Sequence, residues 1–343
     1  MSIKKKISYL DKFSGSIMGV AIGDTLGRPF EGRIRSDIHS KFDDFEQFVQ
    51  DNQKLFKTYT DDTQLTLHVA KALIRGNGFN LNNFINEYIL WLDDPPIGPG
   101  YGCISSIRKL KYGVSWREAA SNSGGNGTVM RIAPIGLFYC RDIKGLITAA
   151  RKSSMITHSH PATSLGAIVI ARAISFLIFQ DPKVGFSLDE FFDIIISSIS
   201  NSENELADEF IKIMQKVKTS LHLSTEAGLV KFSQAGVKNP YFIEEFIGKA
   251  FVHPYTMSTV ACALFVFLKN INSFKECIFE MSTAGGDSDT IGAVGGSLAG
   301  VFFGLNNIPQ ELINLVKDNK DILKISEELC TTFVKRYIKR DFS

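Results

Sequence analysis

The 343-residue chain predicts an all-α fold, and three observations carry that prediction. Apolar residues recur three and four positions apart along most of the length, the spacing that lines one face of a helix. Hardly any segment alternates apolar and polar residues as a half-buried strand does. The breaks between periodic stretches are sharp, built from Gly, Pro and Asn. No long low-complexity linker separates two halves and no repeat of fixed period occurs, so a solenoid is not expected, while one large helical domain is possible at this length.

Taken in order, Phe13, Ile17, Val20 and Ala21 mark the buried face of a first helix, Leu65, Val69, Ala72 and Leu73 a second, and Phe84, Tyr88 and Trp91 a third. "DDPPIGPGYG" at 93–102 and "NSGGNG" at 122–127 interrupt the pattern. Further helical stretches are expected over 143–153, 161–179, 188–199, 203–221, 256–269, 273–282, 290–303 and 309–338. The run 161–179 has the apolarity of a membrane span but is short for one, and Arg172 sits in its middle, so it reads as a buried core helix. "KKK" followed by "IMGVAIG" imitates a signal peptide. Asp11 and Lys12 interrupt it, and Asp24 and Arg28 stand where a cleavage site would be, so a cytoplasmic protein is expected.

Composition narrows the function classes. Hydrophobic residues are 44% and charged residues 22%, which suits a well-filled globular core. The net charge is +2 with scattered lysines, so no nucleic-acid footprint is present. Five cysteines with no Cys-x-x-Cys fit buried thiols better than a disulfide framework or a zinc site.

The chemistry concentrates in two oxygen-rich segments. "TAGGDSDTIGAVGG" at 283–296 sets Asp287, Asp289 and Thr290 between glycine pairs and ahead of an apolar helix. An EF-hand starting at Asp287 fails, because Ile291 and Leu298 occupy its fifth and twelfth positions. A Walker A loop fails for want of a lysine. What remains is a knuckle of oxygen donors suited to a hard divalent cation. Its partner lies upstream in "YTDDTQLTLHVAKAL" at 59–73, where Thr60, Asp61, Asp62 and Thr63 open a helix. One such residue would be a cap. Adjacent aspartates flanked by threonines exceed what a cap needs, and two all-oxygen clusters suggest a site for two Mg²⁺ or Mn²⁺ ions.

Five blocks, in order, resemble the ADP-ribosylglycohydrolase family: "GVAIGDTLGRPFEG", "YTDDTQLTLHVAKAL", "GGNGTVMRIAP", "ITHSHPATSLGAI" and "GGDSDTIGAVGGSLAG". The resemblance covers about residues 13 to 304. It implies a single all-α domain over 1–343, a compact orthogonal bundle of helices with a binuclear metal cleft, and removal of ADP-ribose from a modified acceptor. It also implies that Thr60, Asp61, Asp62, Asp287, Asp289 and Thr290 are the metal ligands. Glu31 in "RPFEG" matches the family's mobile glutamate near the scissile bond, and Asp24 reads as a buttress rather than a reacting group. "SNSGGNGTVMR" resembles the family's diphosphate loop, which gives Ser123, Gly125, Asn126 and Gly127 a substrate-binding role. Glycine N–H groups could cradle a diphosphate there without side-chain obstruction. His158 matches a histidine near the adenosine, with capping of the helix at Pro161 as a compatible role. His160 is a weaker candidate, and Tyr255 is matched loosely, as a substrate contact or a core residue.

Cleavage of a distal-ribose glycosidic bond passes through an oxocarbenium-like transition state. Glu31 or Asp62 would move the proton, with the acid and base roles unassigned. Gly98 stands where a nitrogenase-regulating branch of the family has an aspartate linked to arginine acceptors, so serine-linked and other acceptors stay open. Other readings are a hydrolase of another ADP-ribosyl or nucleotide compound and a non-catalytic ADP-ribose-binding member of the fold. The latter would have lost ligands, and none of the six is lost. An ADP-ribosylated protein or compound is the expected partner, and a monomer the expected state.

Overall fold

The computed structural model describes residues 8–42, 44–200, 202 and 205–338, and the KKK run at 4–6 lies outside them. Helix follows helix: α1 (Tyr9–Gly27), α2 (Arg35–His39), α3 (Phe45–Asn52), α4 (Asp61–Gly76), α5 (Leu81–Trp91), α6 (Tyr101–Lys111), α7 (Trp116–Ala119), α8 (Ala133–Phe138) and α9 (Ile143–Met155). There follow α10 (Pro161–Leu177), α11 (Leu188–Ser200), α12 (Glu205–Thr219), α13 (Thr225–Phe232), α14 (Thr256–Lys269), α15 (Phe274–Ser282), α16 (Ser288–Phe303), α17 (Gln310–Leu315) and α18 (Asn319–Phe333). Among the described residues no strand occurs, only isolated bridges pairing Ser121 with His158, Gly125 with Tyr255 and Val252 with Gly286. The all-α expectation holds.

At the centre α1 and α16 run antiparallel with their backbones in contact. Glycines recur every fourth residue on both, and each faces a partner: Gly15 to Gly300, Gly19 to Gly296, Gly23 to Gly292, and Gly27 to Ser288. A methyl group on Gly19 would sit 2.1 Å from the Gly296 carbonyl oxygen. The two helices can lie this close only because neither carries side chains along the seam. Both are buried on nearly every side, so the first helix has no solvent face, although the sequence suggested one buried stripe. The antiparallel seam also sets the C-terminal end of α1, with Asp24, beside the N-terminal end of α16, with Asp287 and Asp289.

The remaining helices wrap this pair around one continuous apolar core. The run 161–179 forms α10, buried along most of its length, with Arg172 bonded to the Ser175 hydroxyl at 2.8 Å. No helix among the described residues is long and apolar enough to cross a membrane. All five cysteines are buried free thiols.

Most expected boundaries hold within two residues. For the stretch 203–221, positions 203–204 fall outside the described residues. The stretch 309–338 is a correction: it divides into α17, α18 and a π-helical turn. Asp318 takes a left-handed φ of 56°, and the Asn319 amide donates to the Ile313 and Val316 carbonyls, which ends one helix and starts the next. Six helices went unanticipated, α2, α3, α6, α7, α8 and α13, each 11 residues or fewer. α6 begins at Tyr101, inside the Gly/Pro-rich break, and the apolar residues it buries are Cys103, Ile107 and Leu110.

Candidate active site

Two helix N-termini meet at the end of the α1/α16 seam. Thr60 caps α4, its hydroxyl accepting from the Asp62 N–H at 3.3 Å and donating to Asp62 Oδ2 at 3.2 Å. The completely buried Asp24 carboxylate ties this turn to α1. It accepts from the Thr60 N–H at 2.9 Å, the Thr63 N–H at 3.0 Å and the Thr63 hydroxyl at 2.6 Å. Its oxygens are thereby committed to backbone and hydroxyl donors, which agrees with a buttressing role. Asp61 receives a longer bond, 3.4 Å, from the Gly100 N–H, and its own N–H donates to the Ile97 carbonyl. Gly98 has φ +66°, and a Cβ added there would stand 3.8 Å from the Thr60 methyl.

Opposite, Gly285 and Gly286 take φ values of 82° and 70°. A Cβ at Gly286 would stand 2.3 Å from the Val252 carbonyl oxygen, and one at Gly285 2.6 Å from that of Ala250. Only glycine fits such a turn, and this is why glycines precede the two aspartates. Asp287 then opens α16, with Asp289 and Thr290 in its first turn. The Glu31 loop is fastened alongside: Gly32 N–H donates to the Gly286 carbonyl and Gly286 N–H to that of Arg33, both at 2.8 Å. Glu31 itself is exposed at the rim.

The glycine loop reaches the acidic centre through Asn126. Its buried amide donates to Asp287 Oδ2 at 2.6 Å and to the Thr259 hydroxyl at 2.9 Å. Ser123 and Gly125 bond each other, the Gly125 N–H donating to Ser123 Oγ at 3.1 Å. The Gly124 and Gly125 carbonyls accept from the Thr256 hydroxyl. So Asn126 orients an acidic residue, and Ser123 shapes the loop.

His158 is buried between two glycines. A Cβ on Gly102 would lie 2.7 Å from its Nε2, and one on Gly127 3.1 Å from its Cε1. It does not cap α10; His160 does, accepting from the Ala162 N–H at 3.3 Å and meeting Tyr255 edge-on at 6.1 Å between ring centres. Tyr255 is half-buried at the start of α14. Sequence reasoning missed the group behind His158: Arg131, Thr157, Cys103 and Tyr88. Arg131 is buried, donates to the Thr157 hydroxyl at 2.6 Å, and lies over the Tyr88 ring at 4.6 Å. An arginine inside the apolar run "VMRIAPIG" was the available signal.

Burial and mutual repulsion dominate the electrostatics. Asp61 is pushed up to about 8 by burial and then by Asp24. Asp62 is raised well above the carboxylate range by burial and by Asp24, Asp61 and Asp287, with the neighbouring Thr290 hydroxyl opposing. Burial, Asp287, Asp62 and Glu31 raise Asp289 likewise. Glu31 is raised by the protein around it and by Asp287, with Arg28 opposing. Burial and Arg131 hold His158 down at about 3, so it is neutral.

Among the described residues, no three His, Cys, Asp or Glu side chains stand as a ready-made ligand group. The donors fit a hard divalent cation by their chemistry. Asp62 Oδ1 is buried without a partner, burial and neighbouring carboxylates raise the pKa values of Asp61, Asp62 and Asp289, and threonine hydroxyls at both helix starts complete an all-oxygen set.

A family model for ADP-ribosylglycohydrolase matches residues 5–339. The chain belongs to the ADP-ribosylglycohydrolase family. Across 96% of its length it is 25% identical to an uncharacterized protein of Archaeoglobus fulgidus, covering 98% of that protein. It is also 25% identical to the ADP-ribosylhydrolase ARH3 of Xenopus tropicalis, over 95% of this chain and 97% of that one. Against the ADP-ribosyl-[dinitrogen reductase] glycohydrolase of Rhodospirillum rubrum the identity is 24%, over 88% and 89%. A solved structure titled as an ADP-ribosylglycohydrolase-related protein complex shares the fold, with a TM-score of 0.66 at 20% identity over 95% of this chain and 99% of that one. The family and these relatives support ADP-ribosyl hydrolysis as the general activity.

Proposed function

We propose that this ADP-ribosylglycohydrolase cleaves the bond between the distal ribose of an ADP-ribosyl group and its acceptor, with divalent cations held by Thr60, Asp61, Asp62, Asp287, Asp289 and Thr290. The observation that carries the reading is the meeting of two acidic helix N-termini, joined to the glycine loop by the 2.6 Å bond from Asn126 to Asp287. That bond sets the glycine loop beside the acids, which supports reading the loop as the cradle for a diphosphate close to the reacting ribose.

Mg²⁺ or Mn²⁺, when bound, would supply Lewis-acid positioning of ribose hydroxyls and a more acidic water. The protein's own groups do the rest. The loop from Ser123 to Gly127 holds the diphosphate with the Gly124 and Gly127 N–H groups, since those of Ser123, Gly125 and Asn126 donate within the protein, and neutral His158 and Tyr255 flank the nucleoside end. Water adds to the anomeric carbon as the bond to the acceptor breaks, and a proton must reach the departing acceptor atom. Glu31, exposed at the rim with a raised pKa, can hold and deliver that proton. The residues after it, Gly32 and Arg33, are bonded to Gly286, which anchors the loop that carries it beside the acids.

Purified protein should be incubated with substrates ADP-ribosylated at arginine, serine and carboxylate, in Mg²⁺ and in EDTA. Metal-dependent release of ADP-ribose from at least one supports the reading. Full activity in metal-free protein refutes the cation site, and tight ADP-ribose binding without release from any substrate refutes catalysis.

A further inference from the structure

The buried group behind His158 bears on which nitrogen of that imidazole carries hydrogen. Thr157 is wholly buried and its hydroxyl oxygen makes two contacts, 2.6 Å from Arg131 Nη2 and 2.9 Å from His158 Nδ1. A guanidinium can only donate, so one lone pair of the threonine oxygen is taken by Arg131. The hydroxyl hydrogen still needs an acceptor, and His158 Nδ1 is the one the structure offers. Were Nδ1 protonated instead, the hydroxyl hydrogen would be buried with nothing to receive it, an arrangement folded proteins avoid.

We propose that Arg131, acting through Thr157, fixes His158 as the neutral tautomer with hydrogen on Nε2, so that the ring is a hydrogen-bond donor toward the nucleotide. The Thr157 backbone is itself held rigid, its carbonyl accepting from the Ser121 N–H at 2.9 Å and from the Ser106 hydroxyl at 2.8 Å. Nε2 points where Gly102 and Gly127 leave room: a Cβ on either would stand 2.7 Å or 3.4 Å from it. No protein acceptor for Nε2 occurs among the described residues, so its N–H is available to an acceptor atom of a ligand in the glycine loop. The site therefore discriminates by hydrogen-bond polarity at this point, accepting a bare ring nitrogen or an oxygen and rejecting a donor. Arg131 and Thr157 are positioning residues, since neither faces the cleft. Burial and the nearby Arg131 charge also keep the ring neutral.

The inference rests on the proposed ADP-ribosyl substrate only for what Nε2–H meets, and its test needs no turnover. Protein carrying ¹⁵N-histidine gives the tautomer from two-bond ¹H–¹⁵N correlations, with or without ADP-ribose. The Nε2–H form should dominate by about ten to one or more in the wild type. Thr157→Val, close to isosteric, should bring both tautomers into comparable population, and Thr157→Ser should restore the single form. Nδ1–H in the wild type overturns the proposal, as does Thr157→Val with an unchanged tautomer. If ADP-ribose binding weakens about tenfold in Thr157→Val and recovers in Thr157→Ser, the tautomer matters for the ligand. Equal binding in both with a changed tautomer would refute the link to nucleotide recognition while leaving the reading of the reaction untouched.

Discussion

Gly23→Ala tests whether the seam between α1 and α16 is what holds the site together. The added methyl would lie 1.9 Å from the Gly292 carbonyl oxygen, 2.2 Å from its carbon and 2.9 Å from its Cα. All three are backbone atoms of another helix, so no rotamer change relieves the clash, and the helices must separate by roughly 1.5 Å to regain ordinary contact. Overpacking costs about 1–3 kcal/mol, and an obstruction made of backbone belongs at the upper end. With an unfolding entropy of about 2.1 cal/mol/K per residue, a chain of this length loses roughly 4 °C of Tm for about 3 kcal/mol. Gly100→Ala is the control, since a Cβ there meets nothing within 4 Å, and its Tm should move by less than about 1 °C. Scanning calorimetry measures both. Because Asp24 follows Gly23 directly and grips α4, Gly23→Ala should also weaken Mg²⁺ binding, read by isothermal calorimetry. A Gly23→Ala protein melting within about 1 °C of wild type would refute the close-packed seam.

Asp61, with a pKa near 8, and the similarly raised Asp62 and Asp289 bind protons more tightly folded than unfolded. Stability in EDTA should therefore fall as pH rises from about 4 to about 8, and Mg²⁺ should raise Tm more at pH 8 than at pH 5; a flat Tm in EDTA across that window would contradict the repulsive cluster. Asp289→Asn should keep helical circular dichroism, raise Tm in EDTA at pH 8 and bind Mg²⁺ at least about tenfold more weakly; loss of the helical signal would indicate a structural residue instead. Glu31→Gln should lower kcat about 10²- to 10⁴-fold while ADP-ribose affinity changes far less, and a near-normal kcat would remove Glu31 from proton transfer. Asn126→Leu leaves Asp287 without its amide donor, so KM and metal affinity should both worsen; a change in KM alone would make Asn126 a substrate contact only.

Much of this was legible because the physics was local. Helical spacing located the long helices, and the pairing of Asp/Thr clusters with helix starts located both halves of the acidic centre, since an N-terminus needs oxygen acceptors within a few residues. What escaped depended on partners far away in the chain. Glycine every fourth residue at 15, 19, 23 and 27 was visible, but its meaning required the matching row at 292, 296 and 300. Asn126 read as part of a diphosphate loop, and nothing local showed that its amide also reaches Asp287, 161 positions on. His158 and His160 were both near Pro161, and sequence could not say that the farther one would be swallowed between Gly102 and Gly127. Short helices such as α8 carry too few turns for a period to declare itself.

The seam has an electrostatic consequence that connects fold to chemistry. An antiparallel pair places the C-terminal end of α1, whose carbonyls carry partial negative charge, against the N-terminal end of α16. The Gly27 carbonyl does find the Ser288 hydroxyl, at 3.3 Å. Into that same corner the chain delivers Asp24, Asp61, Asp62, Asp287 and Asp289. The positive ends of α4 and α16 offset part of this charge, and Asp24 is satisfied by three donors around Thr60 and Thr63. Asp62 Oδ1 is left buried and unpaired, and Asp62 is left repelled by Asp24, Asp61 and Asp287, as Asp289 is by Asp287 and Asp62. A packing device that needs no side chains thus forces like charges together where helix ends alone cannot neutralise them. Protons relieve that imbalance up to about pH 8, where Asp61 gives up its own; above that, relief requires positive charge from outside the chain.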